Sequence, residues 1–231
     1  MTAQMNDSFD RSRALNSRRI PLWLKLAYTA FMAVLIPVYW VNYGPSNFLY
    51  FCDTALILTL VGVWREDALL ISMPAVGIVV PQIVWLVDYA SNFAGHPITG
   101  LTDYMFDQTK SRFLRGLSLF HGWLPIMLVY LIWCVGYDRR AFAAWTVLAW
   151  GLQLICYFLM SPPLPDPGNA AVNINYVFGM SDTAPQAWMP PLAWLGLLMV
   201  GFPVIFFAPA HFMFSRWKAA GTHPPSSRHS G

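Results

Sequence analysis

Residues 46–63, SNFLYFCDTALILTLVGV, form an apolar run in which a thiol and a carboxylate, Cys52 and Asp53, stand side by side. If this run lies in a membrane, Asp53 is the costliest residue in the chain to place, and an ionisable group at that depth is by default a functional hypothesis. The rest of the chain decides whether it does. Of 231 residues, 57% are hydrophobic and only 11% charged, whereas soluble domains carry about 25% charged residues. A spanning helix needs roughly 20 apolar residues. Runs of this kind occur at 21–41, 46–63, 68–92, 113–136, 140–160 and 190–214. The predicted fold is therefore an all-α polytopic membrane protein with six transmembrane helices. Pro37, Pro74, Pro81, Pro125, Pro203 and Pro209 fall inside these runs and predict kinks, because neighbouring helices can satisfy the freed backbone groups.

The basic residues predict the orientation. Arg11, Arg13, Arg18, Arg19 and Lys25 precede or open the first span, Arg65 follows the second, Arg139 and Arg140 follow the fourth, and Arg216 and Lys218 follow the last. In a six-span arrangement all of them share one side, which the positive-inside rule makes cytoplasmic, giving an N-in/C-in protein. Lys110, Arg112 and Arg115 lie on the other side, beside Asp103 and Asp107. Residues 1–19 read as a cytoplasmic N-terminal segment, 20–216 as the transmembrane domain and 217–231 as a disordered cytoplasmic tail of small polar residues. The expected location is a bacterial inner (cytoplasmic) membrane, with lipids as partners. The formal charge of +3 suits orientation in a bilayer, and no nucleic-acid motif occurs. Cys52, Cys134 and Cys156 all lie in apolar runs, where they make neither a disulfide framework nor a metal knuckle.

In this topology Asp53, Asp88 and His121, from spans two, three and four, land in the outer half of the membrane. Helical spacing adds polar stripes: Pro81, Trp85, Asp88 and Asn92 on span three, Ser118, His121 and Pro125 on span four, and Thr146, Trp150, Gln153 and Tyr157 on span five. Such faces can line one cleft, with Asn47 at its mouth beside Asn173 and Asn175 of the long outer segment 161–189. The alternative is a satisfied interhelical network with no site. Taken alone, Cys52 reads as a small apolar filler.

Three chemistries fit this constellation, and the first, a lipid-acting acyltransferase or hydrolase, is the working expectation. In thiol acyl transfer or hydrolysis, Cys52 is the nucleophile, His121 the base and Asp88 or Asp53 the orienting group, because a thiol needs a base and the base an orienter. In metal-assisted hydrolysis, Asp53, Asp88 and His121 hold zinc; otherwise no cofactor is expected. In the third, a transporter uses Asp53 and Asp88 as an ion or proton site. A non-catalytic accessory subunit is a further reading.

The segments FCDTALILTL at 51–60, LFHGWLPIMLVYL at 119–131 and NINYVFG at 173–179, in this order, resemble the YwaF-type bacterial integral membrane proteins, relatives of transmembrane cysteine-dependent phospholipid acyltransferases, or a sister family of them. The resemblance implies that Cys52 matches the family cysteine and His121 the family histidine. The chain departs from that family in having FLYF before the cysteine, where Pro and His are common.

Overall fold

The computed structural model describes residues 20–166 and 168–217, so the N-terminal segment 1–19 and nearly all of the predicted tail lie outside the described residues. Within them every regular element is helical. Helix α1 spans Leu22–Tyr43, α2 Phe51–Arg65, α3 Ala68–Phe93, α4 Asp103–Phe106, α5 Arg112–Ser118, α6 Phe120–Val135, α7 Ala141–Leu159, α8 Pro191–Phe202 and α9 Ala208–Ser215. Five helical stretches are long and apolar enough to cross a membrane: α1, α3, α5 with α6, α7, and α8 with α9.

The run 46–63 does not form one continuous helix. Pro45 opens a 3-10 turn over Pro45–Leu49, and Tyr50 is extended at ψ 140°. Regular α-helix therefore begins at Phe51 and lasts 15 residues, about 22 Å at 1.5 Å per residue, less than the roughly 30 Å of a bilayer core. The proline and the extended residue shorten the helix, so this run, expected as a sixth span, is not among the five stretches long enough to cross a membrane. At the other end, Glu66 adopts φ 51° as the C-cap of α2, and the Asp67 side chain accepts from Leu70 N at 3.0 Å to cap α3. The charged triplet Arg65-Glu66-Asp67 thus makes the tight reversal.

Helix α3 runs through the middle of the bundle, packed on α2, α6, α7 and the C-terminal helices. Lipid tails are as apolar as leucine, so contact between membrane helices depends on close packing and hydrogen bonds. Two glycines provide that closeness. A Cβ on Gly62 would come within 2.9 Å of Ile71, and one on Gly77 within 1.8 Å of the Trp145 ring. Around these contacts Leu35, Leu56, Leu124, Leu128, Trp145, Phe207 and Phe214 are fully buried. Between α8 and α9 the chain widens into a π turn at Pro203–Phe207, since Pro203 has no N–H to give an α-helical ladder.

Lys25, Arg139 and Arg140 gather at one end, whereas Lys110, Arg112 and Arg115 lie at the other. Lys25 Nζ meets Glu66 at 2.6 Å, Asp138 N donates to Ser72 Oγ at 3.0 Å, and Arg139 reaches the Ser215 carbonyl at 3.4 Å. The segments 94–111 and 161–189 close the opposite end, termed the loop end below.

Candidate functional site

At the loop end the start of α2 is buried. Asp53 stands in the first turn of this helix and is only 4% exposed. Its Oδ2 accepts from Asn47 Nδ2 at 3.1 Å and from the Cys52 thiol at 3.8 Å. Its Oδ1 has no hydrogen-bond partner. The positive end of the α2 dipole favours a carboxylate there, yet an unpaired buried oxygen remains costly. Next to it, Asn175 caps the helix from 124 residues away: its Oδ1 accepts from Phe51 N at 3.0 Å and its Nδ2 donates to the Leu49 carbonyl at 2.9 Å. The amide can reach there because Asn173, Asn175 and Tyr176 all hold positive φ, at 47°, 58° and 59°. This backbone is pinned by Tyr50 Oη to the Val172 carbonyl, by Trp194 Nε1 to the Tyr176 carbonyl and by Asn173 Nδ2 to the Gly179 and Ser181 carbonyls. Residues 172–175 are consequently buried, and segment 161–189 dips into the bundle.

A hydroxyl group system adjoins Asp53. The Tyr39 and Ser118 hydroxyls pair at 3.0 Å. The Tyr39 and Tyr43 rings meet edge-on at 5.0 Å. Tyr104, carried in by the short helix α4, brings its phenol towards Ser118 and Trp85, and burial pushes that phenol above its ordinary ionisation range. Sequence reading passed over Tyr39 and Tyr104, because a tyrosine near a span end has the same signature as an interfacial belt residue.

His121 sits on the same side of the bundle. Its ring stacks on Trp85 at 4.9 Å and on Phe120 at 4.1 Å. Its Nδ1 donates to the Ser118 carbonyl at 2.8 Å, which leaves Nε2 as the acceptor of the neutral ring. Among the described residues no hydrogen bond joins Cys52 to His121: the thiol turns to Asp53 and the imidazole to the last residue of α5.

Asp88 faces elsewhere. It is 1% exposed, and its Oδ1 accepts from Thr99 N and Oγ1 at 2.7 and 2.8 Å. Its Oδ2 accepts from Thr102 N and Oγ1 at 3.0 and 2.7 Å. The carboxylate thereby clamps segment 95–102 onto the end of α3. Among the described residues no three His, Cys, Asp or Glu side chains gather to hold a metal ion, so the zinc ligand set Asp53, Asp88 and His121 is not assembled.

On α7, Gln153 is fully buried with neither amide atom partnered. Gln82 on α3 is in the same state, although the sequence had not singled it out. Tyr157 stacks on Phe178 at 5.1 Å. His211 pairs with Tyr137 at 2.6 Å at the basic end, far along the chain from the Asp53 group.

No protein-family model, no curated protein and no solved structure matches this chain. The functional reading rests on its own residues.

Proposed function

We propose that this is a multi-pass membrane transporter in which Asp53 is the proton- or cation-binding group. The observation that carries the reading is the Asp53 Oδ1 atom, a buried carboxylate oxygen without a partner at the start of a helix that is interrupted within its apolar run. Transporters bind ions and substrates where membrane helices are discontinuous, because the helix ends there expose unsatisfied backbone groups. The 3-10 turn and α2 together rise about 32 Å at 2.0 and 1.5 Å per residue, which suffices for a sixth crossing. The basic end is assigned to the cytoplasm by the positive-inside rule, making the protein N-in/C-in in a bacterial inner membrane with the loop end outside. Thiol acyl transfer by Cys52 and His121 is the less favoured proposal, since it requires the imidazole beside the thiol, and the thiol is hydrogen-bonded to Asp53 instead.

Infrared difference spectroscopy on the full chain in lipid vesicles tests the assignment. A carboxyl band that titrates with pH or with added sodium or potassium, and that Asp53→Asn abolishes, is the expected result. A titrating band that survives in Asp53→Asn, or acylation of Cys52 by a labelled phospholipid, overturns it.

A further inference from the structure

A groove of about 650 Å³ lies between α1 and α6, lined by Trp23, Leu24, Tyr28, Phe31, Trp123, Met127 and Tyr130, with Ala27 and Ile126 along its edges. We infer that it holds one acyl chain of a membrane phospholipid from the leaflet at the basic end. Three features of the groove support this occupant.

The first is its chemistry. Five of the nine residues are aromatic and none is charged, so only an apolar guest is matched. The floor is rigid: the Trp123 ring meets Phe31 edge-on at 4.9 Å and Tyr28 at 6.0 Å, and the Tyr28 hydroxyl is tied to the Leu56 carbonyl at 2.9 Å.

The second is its length and depth. Trp23 is the second residue of α1, at the bundle end that carries the Lys25–Glu66 pair, and Trp side chains favour the membrane interface. From Trp23 to Phe31 the helix rises about 12 Å at 1.5 Å per residue. Half of a bilayer core is about 15 Å. The groove therefore covers one leaflet, from the interface to near the midplane.

The third is its cross-section. The groove lies between α1 and α6, and its walls are the bulky side chains of these two helices. Membrane helices also associate through rows of small residues, whereas here Ala27 is the one small residue among bulky rings. A single chain is narrow enough to fill the space and be gripped on both sides.

The inference is independent of Asp53 and is tested separately. The full chain is placed in nanodiscs of phosphatidylethanolamine and phosphatidylglycerol, with a fraction of the phosphatidylglycerol carrying a diazirine in its acyl chain. After illumination, mass spectrometry should find adducts on residues 23–31 and 123–130 several-fold more often than on the exposed apolar faces at Ile83 and Val87 of α3 and at Leu197 and Val200 of α8. Ala27→Trp, which adds a ring at an exposed edge of the groove, should lower that labelling to the level of those faces while Asp53→Asn leaves it unchanged. Uniform labelling of all faces, no effect of Ala27→Trp in a folded protein, or a second copy of the chain cross-linked at this groove overturns the inference.

Discussion

Asn175 holds Phe51 in place: its carboxamide oxygen accepts the Phe51 amide at 3.0 Å while its nitrogen reaches the Leu49 carbonyl at 2.9 Å. A side chain here substitutes for the missing preceding turn of the helix, and it matters more than a surface cap because no water stands ready to replace it. Asn175→Ala should cost about 1–3 kcal/mol, the penalty for leaving buried donors and acceptors unpaired, read as a lowered unfolding temperature in detergent. The same variant should speed alkylation of Cys52 by a water-soluble maleimide, with Cys134 and Cys156 replaced by Ser in both proteins. An unchanged alkylation rate would show that the asparagine does not close off this helix start.

Asp88 predicts a different outcome from Asp53. Its four bonds to Thr99 and Thr102 make it an anchor for the loop. Asp88→Ala should destabilise the protein by about 2–4 kcal/mol, since several charge-assisted bonds are lost together. Limited proteolysis should cut within residues 95–102 faster than in the unaltered protein. The titrating band assigned to Asp53 should persist.

Gly77 and Gly196 form a matched pair for testing packing. The ring of Trp145 occupies the space a Gly77 side chain would need, while nothing lies within 4 Å of a Cβ on Gly196. Gly77→Ala should therefore destabilise by about 3 kcal/mol or more through overpacking, and Trp145→Phe should recover part of the loss in a double-mutant cycle. Gly196→Ala should be neutral or stabilising by up to about 1 kcal/mol, the helix propensity difference. Unfolding temperatures of the five proteins, the four of the cycle and Gly196→Ala, decide it.

The basic-end connection predicts an acid response. The Arg140 side chain beside Asp138, with the Arg140 N–H, holds the Asp138 carboxyl below the usual carboxylate range. A depressed folded-state value means that the contribution is complete above the ordinary value of about 3.9 and is lost as pH falls below it. Arg140 is 76% exposed, so the effect is at most about 1 kcal/mol. The unfolding temperature of Asp138→Asn should lie slightly below that of the unaltered protein at neutral pH, and the gap should close in acid. A gap that is constant with pH would assign the effect to something other than this carboxylate.

Hydropathy located the helices well because apolar length is a local property. The runs at 68–92 and 140–160 became helices α3, Ala68–Phe93, and α7, Ala141–Leu159, within a residue or two. It could not show that the run at 46–63 breaks at Tyr50, since residues 46–50 are no less membrane-compatible as a turn than as a helix. Counting residues along spans brought attention to Asp53 and His121 at the loop end, but a count carries no facing direction. Whether Asp88 looks into the bundle or up at a loop depends on Thr99 and Thr102, two ordinary residues of a segment without a motif. The long segment 161–189 was marked by its length, and Asn173 and Asn175 were named in it; that Asn175 serves the backbone of α2 is a tertiary fact with no local signature. Gln82 sat within an apolar run as a single polar residue, and only the packed bundle reveals that both ends of its amide lack partners.

The separation of 124 positions between Phe51 and Asn175 also sets an order of events during synthesis. Helix α2 emerges and enters the membrane long before the residue that completes its first turn exists, and chains grow at only about 5–20 residues per second. For several seconds the nascent protein carries an open helix start and an unshielded carboxylate in or near the lipid. A chain halted before residue 175 should consequently leave the start of α2 uncapped, because the Asn175 amide that pairs with Phe51 N and the Leu49 carbonyl is missing.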